Sequence, residues 1–190
     1  MKFCFVGLGN CGKVYENTRH NIGFIVIDRL SKHLSLNSFL SFKSSVLWNK
    51  KSVDDKEVYL VKPYNYMNNS GPILKTFCDC KKISVKDLIV IYDDIDTEIG
   101  KFRIRKSGTS GGHKGMESVI NVFGTKDIVR IRIGIGPKPK NVELSCYVLS
   151  DFKSEEMRLL DVVMDRIIKV FDNIINRGID YTISSYNINT

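Results

Sequence analysis

Apolar residues fall along this chain in two rhythms. Three short runs, Phe3-Cys4-Phe5-Val6, Val58-Tyr59-Leu60-Val61 and Leu88-Ile89-Val90-Ile91-Tyr92, have no polar face. Such runs predict strands covered on both sides within a largely parallel sheet. Lys101–Lys106 and Val129–Ile135 alternate instead, with Phe102 and Ile104 set against Arg103 and Arg105, and with Arg130 and Arg132 expected to point outward. That is the signature of half-exposed strands. Helical spacing holds over about residues 21–34, where Ile22, Ile25, Val26, Leu30 and Leu34 recur. It holds again over about 154–176, where Leu160, Met164, Ile167, Phe171 and Ile174 share one stripe. A further helix starts near Ser70, its expected N-cap, with Pro72 in the first turn and Leu74, Phe77 and Cys78 on the buried side. A short helix of about 115–123 follows the Gly/Ser/Thr loop Ser107–Gly115. Residues 38–49 are ambiguous apart from a strand around Ser45–Trp48, and Lys51–Lys56 reads as a polar turn.

This succession predicts the α/β class: one α/β sandwich domain over residues 1–190, with a mixed, largely parallel central sheet flanked by helices. Sites in such sheets form beyond the carboxyl ends of the strands. Three of those ends deliver Asn10, Asn68 and Asp93, and the loop after the first strand delivers His20. Topology therefore gathers four polar groups, scattered in sequence, at one rim.

Composition narrows the setting. A chain of 190 residues with 43% apolar and 26% charged residues can bury a core without disulfides or a metal. No apolar run approaches the roughly 20 residues of a membrane helix, and the N-terminus does not read as a signal peptide. A cytoplasmic protein is expected. The five cysteines are odd in number and form no C-x-x-C pair, so they read as reduced structural thiols. The net charge of +8 is localised: Lys101–Lys140 holds ten basic residues against Glu117 and Asp127, a surplus equal to that of the whole chain. A local cationic face is the footprint of a polyanion partner.

Three chemistries compete for the rim. Gly7, Gly9 and Gly12 match a dinucleotide fingerprint, with Asp28 downstream, but Tyr15–Asn21 separates them from a helix and Asp28 falls mid-helix. The second is hydrolysis by general base catalysis. There His20 deprotonates water, Asp93 orients the imidazole, and Asn10 and Asn68 offer amide donors to a developing oxyanion. The third is RNA binding without catalysis, through the basic face alone.

The runs Gly7-Leu8-Gly9-Asn10, Tyr15-Glu16-Asn17-Thr18-Arg19-His20-Asn21-Ile22-Gly23 and Met67-Asn68-Asn69-Ser70-Gly71 stand in order along the chain. They are followed by Asp93-Asp94-Ile95-Asp96, Gly111-Gly112-His113-Lys114-Gly115 and Arg130-Ile131-Arg132-Ile133-Gly134-Ile135-Gly136. Together they resemble bacterial-type peptidyl-tRNA hydrolase over about residues 1–150. The resemblance implies a monomeric cytosolic esterase, without cofactor or metal, that cleaves the ester joining a peptide to the 3′-terminal ribose of tRNA. By the same likeness His20 is the base and Asp93 its partner. Asn10 separates peptidyl from free aminoacyl substrate, and Tyr15, Tyr66 and Asn68 line the groove. The chain departs from the family's pattern at Cys11, where proline is usual, and at Lys114, where the family has asparagine. A lysine donates but cannot accept a hydrogen bond. Lys114 is therefore expected to swing toward tRNA phosphate. Arg103, Arg105, Arg130 and Arg132 are expected to hold the acceptor stem by its phosphates, contacts that are sequence-independent and salt-sensitive. The segment after Gly136 is a candidate lid. The remaining alternative is a hydrolase-like RNA binder that has lost catalysis.

Overall fold

The runs without a polar face form the middle of a sheet. In the computed structural model, which describes residues 1–187, strand β1 (Lys2–Gly7) lies parallel between β4 (Lys56–Pro63) and β5 (Leu88–Glu98). Successive residues of a strand face opposite ways, and both directions are apolar here. Phe3 and Phe5 enter one core while Cys4 and Val6 enter the other. The alternating stretches lie toward the far edge. Strand β7 (Val129–Gly136) runs parallel to β5, and β6 (Phe102–Arg105) pairs antiparallel with β7. On the other side β2 (Leu40–Phe42) and β3 (Val46–Val53) complete the order β2-β3-β4-β1-β5-β7-β6. The expected strand at 45–48 is thus longer, and the polar turn contracts to Asp54-Asp55.

Helices cover both faces. Helix α1 (Ile22–His33) and the long α5 (Ser154–Arg177) bury Ile22, Val26, Leu160, Ile167 and Phe171 against one core. Helix α2 (Ser70–Lys81) and α3 (Lys114–Phe123) bury Leu74, Phe77, Met116 and Val119 against the other. Ser70 is the first residue of α2 and not its cap. Its hydroxyl donates to Met67 O at 2.8 Å, and Asn69 precedes the helix. Two short helices escape sequence periodicity: α4 (Leu144–Val148) and α6 (Ile179–Asn187). No helix among the described residues is long and apolar enough to cross a membrane.

One strand residue faces differently from expectation. Arg130 is 1% exposed. Its guanidinium donates to Gly108 O at 2.8 Å, Thr109 O at 2.9 Å and Lys126 O at 2.8 Å, and its Nε to Ile128 O at 3.0 Å. Backbone carbonyls held away from water need donors, and the loop over this face of β7 obtains them from Arg130. That guanidinium is therefore not an outward phosphate ligand.

Candidate active site

The loop leaving β1 is fastened before it reaches any functional group. Leu8 N donates to Ile91 O at 2.9 Å. Asn10 and Asn21 then clasp each other: Asn10 N donates to Asn21 Oδ1 at 2.8 Å, and Asn21 Nδ2 donates to Asn10 O at 3.0 Å. Asn10 Oδ1 accepts from Met67 N at 2.8 Å. Because a backbone N–H must meet an oxygen, the carboxamide orientation follows. Asn10 Nδ2 is left with no protein partner among the described residues, yet it is not sealed from the cavity.

His20 sits on the one-turn helix Arg19–Asn21 immediately before α1. Gly23 brings that turn down onto the sheet. A Cβ there would stand 2.4 Å from both Ile91 O and Leu8 O, and one on Gly7 would stand 2.2 Å from Gly23 O. With no side chain at either position the start of α1 rests on strand ends, and His20 comes within reach of Asp93.

Asp93 Oδ1 receives two rings. His20 Nδ1 lies 2.8 Å from it and His113 Nε2 lies 2.9 Å from it. His113 is the N-cap of α3, and its Nδ1 accepts from Met116 N at 3.1 Å. That contact assigns the proton of neutral His113 to Nε2, which donates to Asp93. Burial pushes the Asp93 carboxyl up, but the attraction of His113 and of His20, through charge and hydrogen bonds, prevails and holds it well below the usual carboxylate range. An ionised carboxylate only accepts, so His20 donates from Nδ1, and in the neutral ring Nε2 carries the lone pair. No described protein group takes up that lone pair. The same three side chains place ligand atoms within 4.8 Å of one another. Both nitrogens facing the carboxylate are donors, so neither offers an ion a lone pair.

His20 opens into a cavity of about 550 Å³. Asn10, Tyr66, Asn68, His113 and Lys114 line it with His20, and Leu144, Val148 and Leu149, on or beside α4, add an apolar wall. Tyr66 is 60% exposed at the rim. The expected residues are thus brought together, with distinctions. Tyr15 ends the one-turn helix Lys13–Tyr15, half-buried, and is not part of this lining. Lys114 lines the cavity, but its ammonium turns to Glu117 at 3.2 Å with the side chain 71% exposed. Arg132 also lines the cavity and donates to Asp94 Oδ1 at 2.8 Å. Arg103 is its cross-strand partner on β6, and Arg105 stands two residues on, both exposed on that face. Sequence reasoning gave His113 no role, although it stands in one of the runs that carry the resemblance, between a Gly-Gly turn and a helix start. Asp28 lies within α1 and accepts from Lys62 Nζ at 2.6 Å, away from any dinucleotide arrangement.

Known proteins resemble this chain along nearly its whole length. The sequence matches the family described as Peptidyl-tRNA hydrolase over residues 4–190. It is 42% identical over 187 residues to a peptidyl-tRNA hydrolase of Pseudothermotoga lettingae, covering 96% of this chain and 95% of that one. It is 44% identical to one of Caldanaerobacter subterraneus, covering 97% and 99%. Among solved structures, peptidyl-tRNA hydrolase of Acinetobacter baumannii superposes with a TM-score of 0.90 at 26% identity, covering 97% of this chain and 94% of that one.

Proposed function

Because this chain belongs to the peptidyl-tRNA hydrolase family and hydrolyses peptidyl-tRNA, we propose that His20 is the base of that reaction. The observation that carries the proposal is the pair of hydrogen bonds on Asp93 Oδ1, which directs Nδ1 of His20 to the carboxylate and so leaves Nε2 of a neutral ring to accept a proton at the cavity that His20 lines. His20 Nε2 takes a proton from water, and the hydroxide oxygen bonds to the ester carbonyl carbon. The carbonyl electron pair moves to oxygen, then returns as the bond to the 3′ ribose oxygen breaks. The imidazolium, stabilised by Asp93, gives its proton to that ribose oxygen. The products are a peptide carboxylic acid and tRNA with a free 3′ hydroxyl. This sequence needs no cofactor.

Asn10 Nδ2 donates to the first peptide carbonyl. A free aminoacyl ester would bring a charged ammonium there instead, and desolvating it without a partner is costly. Asn68 and Tyr66 at the rim hold the acceptor end, Tyr66 by stacking on an unpaired base. Tyr15, outside the lining, reaches substrate only at the groove's outer end. Arg132, Arg103 and Arg105 continue outward from the cavity and hold acceptor-stem phosphates. Lys114 joins them by leaving Glu117, an exposed pairing worth little. We place the enzyme in the cytoplasm as one domain, and as a monomer since one chain supplies every group that lines the cavity. Loss of catalysis has no support in a site whose base and orienting carboxylate are both in place.

The test is single-turnover release of tRNA from an N-blocked aminoacyl-tRNA. His20→Ala is expected to slow it on the order of 10²–10⁴-fold. Cleavage at the wild-type rate by His20→Ala would overturn the assignment.

A further inference from the structure

Arg19 stands beside the base in sequence but points away from it. It is 3% exposed. Its Nη1 donates to Ser150 Oγ at 2.7 Å, Asp151 O at 2.5 Å and Ser150 O at 3.2 Å. Its Nη2 donates to Glu156 Oε1 at 2.8 Å and Oε2 at 2.6 Å. The guanidinium carbon lies 4.6 Å from the Tyr147 ring centroid and 5.3 Å from that of Phe152. All these partners belong to residues 147–156, the span from the end of α4 to the first turn of α5. That span also supplies Val148 and Leu149 to the apolar wall of the cavity.

The two structures that Arg19 joins are unequally supported. The His20 turn has its own fastenings: Asn21 N donates to Thr18 O at 3.0 Å, Asn10 and Asn21 clasp, and His20 meets Asp93. The wall has less. Helix α4 is five residues long, and Leu144 and Leu149 on it and beside it are exposed. Besides the guanidinium, Tyr147 donates to Ile135 O, Arg19 N donates to Ser150 O at 3.0 Å beside a Thr18–Asp151 bridge, and Phe152 N donates to Asn17 O at 3.3 Å; none of these reaches the first turn of α5. Glu156 is committed at both ends, since it also accepts from Lys153 N at 2.6 Å and so ties Arg19 to the first turn of α5. A buried cation needs such pairing, and removing one partner strands the other. Withdrawing the guanidinium or its carboxylate therefore loosens the wall before it loosens the base.

We propose that Arg19, paired with Glu156, is a positioning residue that sets the Leu144–Leu149 wall at its working distance from His20, and so makes the enzyme favour an apolar residue next to the scissile ester. This rests on the reading of His20 as the base. The wall contributes three leucine and valine side chains to a cavity otherwise lined by many polar groups, so an aliphatic side chain on the esterified residue gains burial against it.

The experiment compares N-acetyl-leucyl-tRNA with N-acetyl-glycyl-tRNA as substrates for wild type, Arg19→Lys, Glu156→Gln and Leu149→Ala. Wild type is expected to favour the leucyl ester in kcat/KM. Glu156→Gln, which keeps side-chain volume, and Arg19→Lys, which keeps charge, are expected to cut that preference about tenfold, mostly through KM. The pH profile of kcat keeps its shape. Leu149→Ala is expected to cut the preference as well, and its combination with Glu156→Gln to do little more, as coupled sites do. No preference in wild type, equal losses on both esters, or a displaced pH profile would each overturn the proposal. If Arg19→Lys fails to fold, Glu156→Gln and the double variant decide. Cleavage of neither ester by wild type would instead sink the reading of the site, and this proposal with it.

Discussion

At the scale of single residues, the site turns on one oxygen. Asp93 Oδ1 accepts from both histidines, so Asp93→Asn replaces a double acceptor with a group that also donates, and one ring loses its assigned tautomer. The expected cost is about 10²–10⁴-fold in kcat, read from single-turnover cleavage. The same carboxylate affects stability. Its folded-state pKa is depressed, so its contribution is present above the ordinary carboxylate value of about 4 and drains away as pH falls below it. Urea midpoints of wild type and Asp93→Asn should differ most near neutrality and converge in acid; a gap that widens in acid would contradict the sign. Lys114→Asn addresses the departure from the family's pattern. If the ammonium leaves Glu117 for phosphate, the variant should raise KM and flatten the salt dependence of tRNA binding by about one unit of slope. Unchanged KM and slope would leave Lys114 a surface residue. Asn10, His20, Asn68 and Asp93 were legible in the sequence because strand ends reveal themselves through apolar runs. His113 and Arg130 were not. Their roles come from what packs over them, a carboxylate 20 positions away and loop carbonyls near positions 108 and 126.

At the scale of elements, the close seat of α1 on the sheet sets the distance between His20 and Asp93. Gly23→Ala would place a methyl 2.4 Å from two backbone oxygens. Neither is the mobile end of a side chain, so the helix must lift. We expect a loss of about 2–3 kcal/mol, roughly 5–10 °C in Tm, and a fall in kcat at temperatures where the variant is still folded. A variant that melts early but cleaves at the wild-type rate would separate the seat from the chemistry. The long elements were readable because each carries a full period of apolar positions. The one-turn helices, α4 and α6 were not, since they are too short for periodicity to register. The last two are held from outside, α4 by Arg19 over its Tyr147 ring and by Ile135 O, which accepts from Tyr147, and α6 by its packing of Tyr186 against Phe102. Strand β5 also runs on through Asp93 to Glu98, where the acidic residues had marked its end.

At the scale of the molecule, the basic surplus divides into inward and outward parts. Arg130 is consumed by the loop, and Arg132 is shared between Asp94 and the cavity with its side chain 25% exposed, so exposed Arg103 and Arg105 are the cations on this face freest to add to its hold on a polyanion. Replacing both with alanine should flatten the plot of log affinity against log salt by up to about 2. An unaltered slope would exclude them as phosphate ligands. The order of the strands has a consequence in time. Strand β1 is made first, yet its neighbours are β4 and β5, whose pairing begins with Glu57 and Leu88, and β5 in turn waits for β7 at Val129. Pairings so distant in sequence close slowly. While the ribosome is still adding the middle of this chain, Asn10 and His20 have already been synthesised but Asp93 and His113 have not. A chain released before His113 is therefore inert, and this enzyme of translation must itself be translated far beyond its own base before its site exists.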